Sequence, residues 1–588
     1  MANEHYSEFI EETFIDPIRS VLIIDDDYPT FDEILQMREN QNAGSDADSP
    51  KAWYKNPERI KGVINSFRTS NRPLLVDIHD GENVTVGKEV EVAAHLHQSD
   101  LLVLDYELDK SKERDGTRAI RIVRRLMSND HFNLVIVHTN EDLNLVFDEF
   151  RVGLLSPSSN SLSQQQKEEA QELIEDGEYE TEGFSQRMFE SVGNEQYYHS
   201  RLHPSNFLPV MLRGQGPYAA FADLCEITDW TTEDRRLVLQ FALAQVEQEL
   251  RSKMNPSSSS DLTWSEAPTK WIRSESVFIA FSTKQDNGDL LDEIRKALDN
   301  WNPQPSRLFL TKLRAEMDER GVVAQGQALG DKYALAHWYK LLLDSDGSQR
   351  RWYIAESVSR HSEQLLSAIL PSVEDFATRL IESEVSNSDG DLNVLCKGHF
   401  KVDLANDIQR RQAEREHNAF VCSKMREGWH LTTGHIFLMG GNHWLCLSPA
   451  CDMVPSQLSK QRIETFGERL PFVGVQLQPI DDGKIPKDVQ TNRYVFLQID
   501  GSVKGFCFNN PSGDNSAPHW HTLYAEHRGK FFEDTFEFEV LRTEMGIRQL
   551  IAKKYEAEVI GQLRYEYALN LMQRLSVSLT RIGLDFAG

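Results

Sequence analysis

The chain has 588 residues, which is too long for a single hydrophobic core, so we expect about three or four domains. Its formal net charge of −29 disfavours non-specific nucleic-acid binding, and no run of about 18 apolar residues suggests a membrane span. Six scattered cysteines and an acidic N-terminus without a signal-peptide pattern predict a cytoplasmic protein.

Short apolar segments alternate with helical patterns in the first 150 residues. Such runs are typical of parallel strands buried on both faces. The amphipathic segment from Thr117 to Met127 is one of the helical patterns. The alternation predicts a doubly wound parallel sheet covered by helices, with α/β character. The predicted strands are residues 20–24, 73–78, 100–105 and 133–139.

The remainder of the chain changes character several times. Residues 151–270 are polar and helical and are predicted to form an insertion in the sheet domain. Residues 271–304 contain one more strand and an amphipathic helix, which would return to the sheet. After a helical region at 305–390, short strands separated by turn residues predict an antiparallel β-rich domain at 391–540. Residues 541–588 are predicted to end the chain as a helical segment.

Reactive side chains follow the predicted parallel strands. The acidic run Asp25–Asp27 follows the first strand, and Asp105 ends the third. Thr139 ends the fourth strand, and Lys284 follows the strand near residue 280. Because the carboxyl ends of parallel strands meet at one edge of a sheet, we expect these groups to converge on one crevice.

The segments VLIIDDD, LLVLDYEL, VIVHT and VFIAFSTK resemble, in that order, the motifs of response-regulator receiver domains. The resemblance implies a flavodoxin-like fold in which Asp105 accepts a phosphoryl group as a carboxylate nucleophile. Asp115 and Gly116 resemble the small-residue turn that follows the phosphorylated aspartate in this family.

The same resemblance implies the roles of the surrounding residues. Asp25, Asp26 and Asp105, with the backbone carbonyl of Glu107, would bind Mg²⁺, which prefers oxygen ligands. The remaining roles fall to Thr139 and Lys284 as contacts of the phosphoryl group and to Phe281 as the aromatic switch, which we expect to turn inward on phosphorylation.

The position of the last receiver strand leaves an alternative open. The family places one helix between its threonine and its lysine, whereas Thr139 and Lys284 are far apart here. A strand at Phe207–Leu212 that ends at Arg213 would supply a different cation. We favour Lys284 because a good strand and an amphipathic helix flank it.

The C-terminal half contains one dense motif, WLCLSPACDM, at residues 444–453. Cys451, with His435, His443 and His519 in the same domain, would fit a thiol nucleophile or zinc ligands. The simpler interpretation is structural, because cysteine is often buried and paired metal-ligand spacing is absent.

The segments FIDPIRSVLIIDDDYPT, SPACD and TRIGLDF resemble long receiver-containing proteins of bacterial conflict systems, such as the phosphate-accepting middle component of the phage-defence two-component system Detocs. This resemblance implies antiviral defence, a sensor histidine kinase as partner and a downstream effector protein. We expect the chain to relay phosphate or to act as a phosphate sink, with no enzyme activity beyond phosphorylation and dephosphorylation of the receiver. The alternatives are a receiver-regulated enzyme that uses Cys451 and a degenerate receiver that serves as a protein-binding scaffold.

Overall fold

The structure is a computed structural model of the 588-residue chain, and it divides into a unit of residues 1–312 and a unit of residues 313–588. It describes residues 4–42, 57–69, 72–79, 99–108, 114–128, 131–158, 162–203, 207–252, 262–284, 289–328, 332–345, 347–388, 390–454, 460–480, 489, 493–499, 501–509, 517–543 and 549–579.

A seven-stranded mixed sheet forms the centre of the first unit. Its strands run in the order β2-β1-β3-β4-β7-β6-β5, and the first five are parallel. Apolar runs such as VLII and LLVL are buried because helices pack against the sheet. This arrangement is consistent with a flavodoxin-like fold. The strands are β1 (Ser20–Ile24), β2 (Leu75–His79), β3 (Leu101–Leu104), β4 (Asn133–Thr139), β5 (Thr263–Ser265), β6 (Trp271–Arg273) and β7 (Val277–Thr283).

Helices between β4 and β5 share one core with the sheet. Ala170 and Ile174 belong to the same buried cluster as Leu102 and Val135 of the strands, so the predicted insertion is a packed part of this unit. Capping boxes begin two of these helices. The helices of the first unit are α1 (Glu4–Ile10), α2 (Phe31–Asn42), α3 (Pro57–Arg68), α4 (Thr117–Met127), α5 (Leu143–Leu154), α6 (Gln164–Glu180), α7 (Phe184–Ser191), α8 (Asn194–Leu202), α9 (Phe207–Leu212), α10 (Ala219–Cys225), α11 (Thr232–Arg251) and α12 (Leu290–Trp301).

The alternative position for the last receiver strand is wrong. Phe207–Leu212 is the short helix α9, and β7 pairs in parallel with β4 over its whole length. The antiparallel hairpin of β5 and β6 then extends the sheet beyond β7. The strand that carries the predicted lysine is therefore an interior strand of the sheet.

The second unit begins with helices and continues into a β-rich region. Within the described residues, no helix combines the length and the apolar character needed to cross a bilayer. The helices after residue 304 are α13 (Pro305–Ala328), α14 (Lys332–Asp344), α15 (Gly347–Ser386), α16 (Leu392–Phe400), α17 (Asp407–Cys422), α18 (Lys460–Phe466) and α19 (Tyr565–Leu579).

Six antiparallel strands of the second unit close into a barrel in the order β9-β10-β11-β14-β15-β16, because β16 pairs back onto β9. Phe437, Phe472, Phe536 and Phe538 make edge and tilted ring contacts inside it. The strands are β8 (Ser423–Lys424), β9 (His435–Met439), β10 (Asn442–Cys446), β11 (Leu470–Ile480), β12 (Tyr494–Ile499), β13 (Ser502–Cys507), β14 (Trp520–Ala525), β15 (Thr535–Thr543) and β16 (Leu550–Leu563).

Two predicted boundaries in this unit need correction. The range 391–540 was expected to be β-rich, but its first part forms the helices α16 and α17. The range 541–588 was expected to be helical, but it contains the end of β15 and the long strand β16, and its described helix is α19 alone. The strand that closes the barrel, β16, therefore comes from the segment that was predicted to be helical.

Candidate functional site

Two adjacent strand ends hold the acidic groups together. Asp25 follows β1 and Asp105 follows β3, and these strands are parallel neighbours. The Asp105 backbone N–H donates to the carbonyl of Ile24 at 2.9 Å, which extends the strand pairing to the acid itself. Carboxylate oxygens of Asp25, Asp26 and Asp105 lie within 4.8 Å of one another. The sheet thus gathers three carboxylates at one point of its rim.

Lys284 completes this group from the end of β7. Its ammonium Nζ donates to Asp25 Oδ2 and to Asp105 Oδ2, each at 2.7 Å. Its backbone N–H donates to the Thr139 carbonyl at 2.7 Å, which continues the pairing of β4 with β7. The Lys284 side chain is only 2% exposed, so both ion pairs are shielded from solvent.

Burial and charge act against each other on these groups. Burial raises the pKa of Asp105 to about 7, while Lys284 opposes the rise and Asp25 adds to it. For Lys284, burial alone would lower the pKa, but the carboxylates of Asp105 and Asp25 outweigh burial and raise it. The ammonium therefore stays charged, and the Asp105 carboxyl needs further positive charge to be fully ionised at neutral pH.

The donor set fits a divalent cation. Three carboxylates against one ammonium leave an excess of two negative charges when all are ionised. Hard cations such as Mg²⁺ take oxygen ligands of this kind. Glu107 lies two residues after Asp105, and its side chain accepts a hydrogen bond from the Arg114 backbone N–H at 2.5 Å. Metal binding by its backbone carbonyl stays a prediction.

Thr139 and Phe281 lie on β4 and β7, the two strands that follow β3 in the order of the sheet. Thr139 is buried at the end of β4, and its hydroxyl accepts from the Glu141 backbone N–H at 3.1 Å. The Phe281 ring lies 5.2 Å from the Phe147 ring and 5.4 Å from the Phe150 ring, both on α5. Phe281 is already buried, so the inward turn predicted on phosphorylation is not needed to bury it.

One supporting contact next to Asp105 was missed from the sequence. The Tyr106 ring packs so closely on Gly116 that a Cβ atom there would lie 2.0 Å from the ring. The Tyr106 hydroxyl bonds the Glu149 carboxylate and the Arg114 carbonyl. A tyrosine that follows the acid, with a glycine ten residues later, was the available signal. This contact holds Tyr106, which directly follows Asp105, against the residue that precedes α4.

The C-terminal cysteine motif has a different setting. Cys451 is exposed in the turn Ala450–Met453, while Cys446 is buried in β10. His435 is fully buried and bonds the backbone of Thr432 and Glu427. Among the described residues, the group of His, Cys, Asp and Glu with metal-site spacing is the aspartate cluster at the sheet rim. Catalysis by Cys451 and zinc binding stay predictions.

Comparison with known sequences agrees with the site at the sheet rim. The chain has no match among curated proteins or among solved structures. Residues 17–182 match the family described as the response receiver domain. The matched range includes the three aspartates and Thr139 and ends before β7 and Lys284. The first unit of this chain therefore contains a response receiver domain, which suggests phospho-acceptance in two-component-type signalling.

Proposed function

We propose that Asp105 accepts a phosphoryl group from the phosphohistidine of a sensor histidine kinase. The observation that carries this proposal is the contact of Lys284 with both Asp25 and Asp105 across 179 residues or more of sequence. The buried Lys284 ammonium therefore lies beside the Asp105 carboxylate, which is the group that would react. A purely structural ion pair would not need a third carboxylate, yet Asp26 adds one to the same group.

The transfer is a displacement at phosphorus. An Asp105 carboxylate oxygen forms a bond to phosphorus as the bond from phosphorus to the donor imidazole nitrogen breaks. The imidazole leaves with the electron pair and takes a proton from solvent. Charge spreads over the phosphoryl oxygens during this step, so neutralising that charge is the main demand on the protein.

The neighbouring residues meet this demand in different ways. Lys284 would move from the carboxylate of Asp105 to a phosphoryl oxygen and keep its contact with Asp25 as a point charge. The Thr139 hydroxyl would donate to another phosphoryl oxygen. Mg²⁺ held by Asp25, Asp26, Asp105 and the Glu107 carbonyl would supply the remaining positive charge.

The fate of the phosphoryl group defines the cellular role. We propose that the chain relays it to a downstream effector protein or holds it as a phosphate sink, in a defence system similar to Detocs. The segments FIDPIRSVLIIDDDYPT, SPACD and TRIGLDF support the defence setting. A slow loss of phosphate from Asp105 in the isolated protein would favour the sink, and rapid transfer to a second protein would favour the relay.

The test is phosphorylation with acetyl phosphate and Mg²⁺, read by intact mass. The wild-type chain should gain one phosphoryl unit, and Asp105→Asn should gain none because its amide is not a nucleophile. Asp27→Asn is the matched control, since Asp27 is in the same acidic run but outside the three-carboxylate group. Equal labelling of wild type and Asp105→Asn would remove Asp105 from the mechanism.

A further inference from the structure

The two ends of the barrel differ. At one end, Leu431 and Phe531 pack into the buried interior of the barrel, and the Leu431 N–H donates to the Gly529 carbonyl at 2.8 Å. Leu431, Leu470 and Phe531 are all buried there. This end is closed by apolar side chains. At the opposite end, the described residues that face inward are polar.

Strand alternation identifies the side chains that face inward at the second end. On β14, Leu523 and Ala525 belong to the interior cluster, so His519 and His521 share their face. The same period applies to β10, β11, β15 and β16, whose interior residues are Trp444, Phe472, Val540 and Ala557. The inward-facing polar residues at this end, here named the barrel mouth, are Asn442, Gln476, His519, His521, Arg542 and Lys553.

Several of these side chains are held by contacts within the mouth. Gln476 Nε2 donates to Asn442 Oδ1 at 3.0 Å, and Gln476 Oε1 lies 2.7 Å from His519 Nδ1. The His519 and His521 rings are 4.8 Å apart. The Arg542 guanidinium lies 5.4 Å from the centre of the Tyr555 ring. Because Gln476 Oε1 can only accept, His519 carries its proton on Nδ1, and its Nε2 is left for another partner.

Trp444 forms the floor of the mouth. Its ring lies 5.9 Å from the His519 ring and 5.7 Å from the His521 ring, and the residue is 4% exposed. Its Nε1–H has no hydrogen-bond partner among the described residues. A buried donor without an acceptor costs free energy in the unliganded protein, and an acceptor supplied by a ligand would remove that cost.

The charge of the mouth has the opposite sign to that of the chain. The chain carries a formal net charge of −29, yet the ionisable side chains that face inward at the mouth, among the residues that the structure describes, are arginine, lysine and histidine. The acids of the same strands, such as Glu537 and Glu539, alternate to the outer face of β15. Burial lowers the pKa of His521, and the neighbouring His519 and Arg542 lower it further. An anion entering the mouth would relieve this local repulsion.

We propose that the barrel mouth binds the phosphate group of a small phosphorylated ligand. The Arg542 guanidinium offers a fork of donors, and Lys553 adds a second positive charge. His519 and His521 donate from their ring nitrogens when protonated, and Trp444 Nε1–H donates from below. A metal ion fits less well, because Arg542 repels cations and no carboxylate or cysteine joins the two histidines in the described residues.

The experiment uses the full chain in EDTA, so that the aspartate cluster of the receiver holds no metal. Equilibrium dialysis with radiolabelled pyrophosphate should show saturable binding at one site per chain. Arg542→Gln and His521→Gln should each weaken it about tenfold or more, because each removes a charge-assisted donor. Both residues are exposed, and circular dichroism should show that both variants stay folded.

Lys554→Gln is the matched control. It removes one positive charge from β16, at the residue that follows Lys553. The Lys554 side chain faces outward, and its ammonium pairs with the Glu537 carboxylate at 2.7 Å. The Lys554→Gln variant should therefore bind pyrophosphate with the same affinity as the wild type. The proposal is overturned by absence of saturable binding, by an equal loss in Lys554→Gln, or by acetate competing as well as inorganic phosphate. The receiver proposal is unaffected by these outcomes, since none involves Asp105.

Discussion

The receiver rim and the barrel mouth are both places where β-strands end, but their charges are reversed. At the rim, three buried carboxylates share one ammonium group from Lys284. At the mouth, basic side chains surround the Trp444 Nε1–H, which has no hydrogen-bond partner in the described part of the chain. The formal net charge of the whole chain, −29, therefore predicts neither site. Local strand geometry decides which charges face each other.

The stability of the two regions also has different sources. The receiver rim depends on buried ion pairs between the Lys284 ammonium and the carboxylates of Asp25 and Asp105. The barrel interior depends on aromatic packing, and its buried imidazole of His435 is kept neutral. Changes that remove charge should therefore damage the first region, and changes that add charge should damage the second.

The largest effect is expected for Lys284→Met. Removing one partner of a buried ion pair leaves two carboxylates unpaired, which typically costs about 3–5 kcal/mol of stability. Hydrogen exchange of peptides from β1 and β7 should show faster opening of this unit. Mg²⁺ should restore part of the protection, because a divalent cation replaces the missing positive charge.

Lys296→Met is the control for Lys284→Met. Its ammonium pairs with Asp292 and Glu293 on the surface of α12, where ion pairs contribute little. Equal loss of protection in both variants would mean that the buried position of Lys284 has no special importance.

A loss of similar size, reached only over several pH units, is expected for the barrel on acidification. Burial lowers the pKa of His435 to about 3, and its Nδ1 accepts from the Thr432 N–H at 2.9 Å, so a proton has no room there. The unfolded chain binds this proton below a pKa of about 6.5, and the folded chain does not. The contribution of His435 to the free energy of unfolding is fully present above pH ~6.5. Below that pH it falls by about 1.4 kcal/mol per pH unit. The loss ends near the folded pKa.

The measurement is urea unfolding of the full chain at several pH values. His435→Asn keeps an acceptor near the position of Nδ1 but cannot titrate, so its stability should fall less steeply below pH ~6.5. His417→Asn, on the exposed face of α17, should keep the slope of the wild type. Identical slopes for wild type and His435→Asn would show that this imidazole does not set the acid sensitivity.

The smallest effect is expected for Gly116→Ala in the receiver. The new methyl group would overlap the Tyr106 ring, and overpacking of this kind costs about 1–3 kcal/mol. The double variant Gly116→Ala/Tyr106→Leu should lose less than the sum of its single changes, because leucine leaves room for the methyl group. Thermal unfolding of the four proteins measures this coupling. Additive losses would contradict the contact.

The parallel strands of the receiver were predictable because short apolar runs with acids at their ends have few other interpretations. The strand β16 was not predictable, because its sequence LIAKKYEAEVIGQL is rich in good helix formers. Pairing with β15 and β9 overrides that preference. The three-residue strands β5 and β6 were missed because they are too short to show a period.

The two sites also differ in how far local sequence patterns predict them. Parallel strands place their carboxyl ends at one edge, so the order of the strands along the sequence is enough to group Asp25, Asp105 and Lys284. In an antiparallel barrel, neighbouring strands alternate in direction, and the meeting of His521 with Trp444 depends on register and on closure. Neither the register nor the closure of the barrel can be predicted from a local sequence pattern. The packing of Tyr106 on Gly116 was also not predicted, because no local pattern indicates contact between two residues ten positions apart.

The separation of Asp105 from Lys284 by 179 residues has a consequence during synthesis. At about 5–20 residues per second, the ribosome releases the lysine roughly 10–35 s after the aspartate. A nascent chain that has reached residue 182 holds every acid of the cluster and the whole segment that matches the receiver family, but it lacks the Lys284 ammonium that pairs with Asp25 and Asp105. An expression fragment cut at that boundary would therefore reproduce the family motif while lacking the cation that makes the acids compatible with burial.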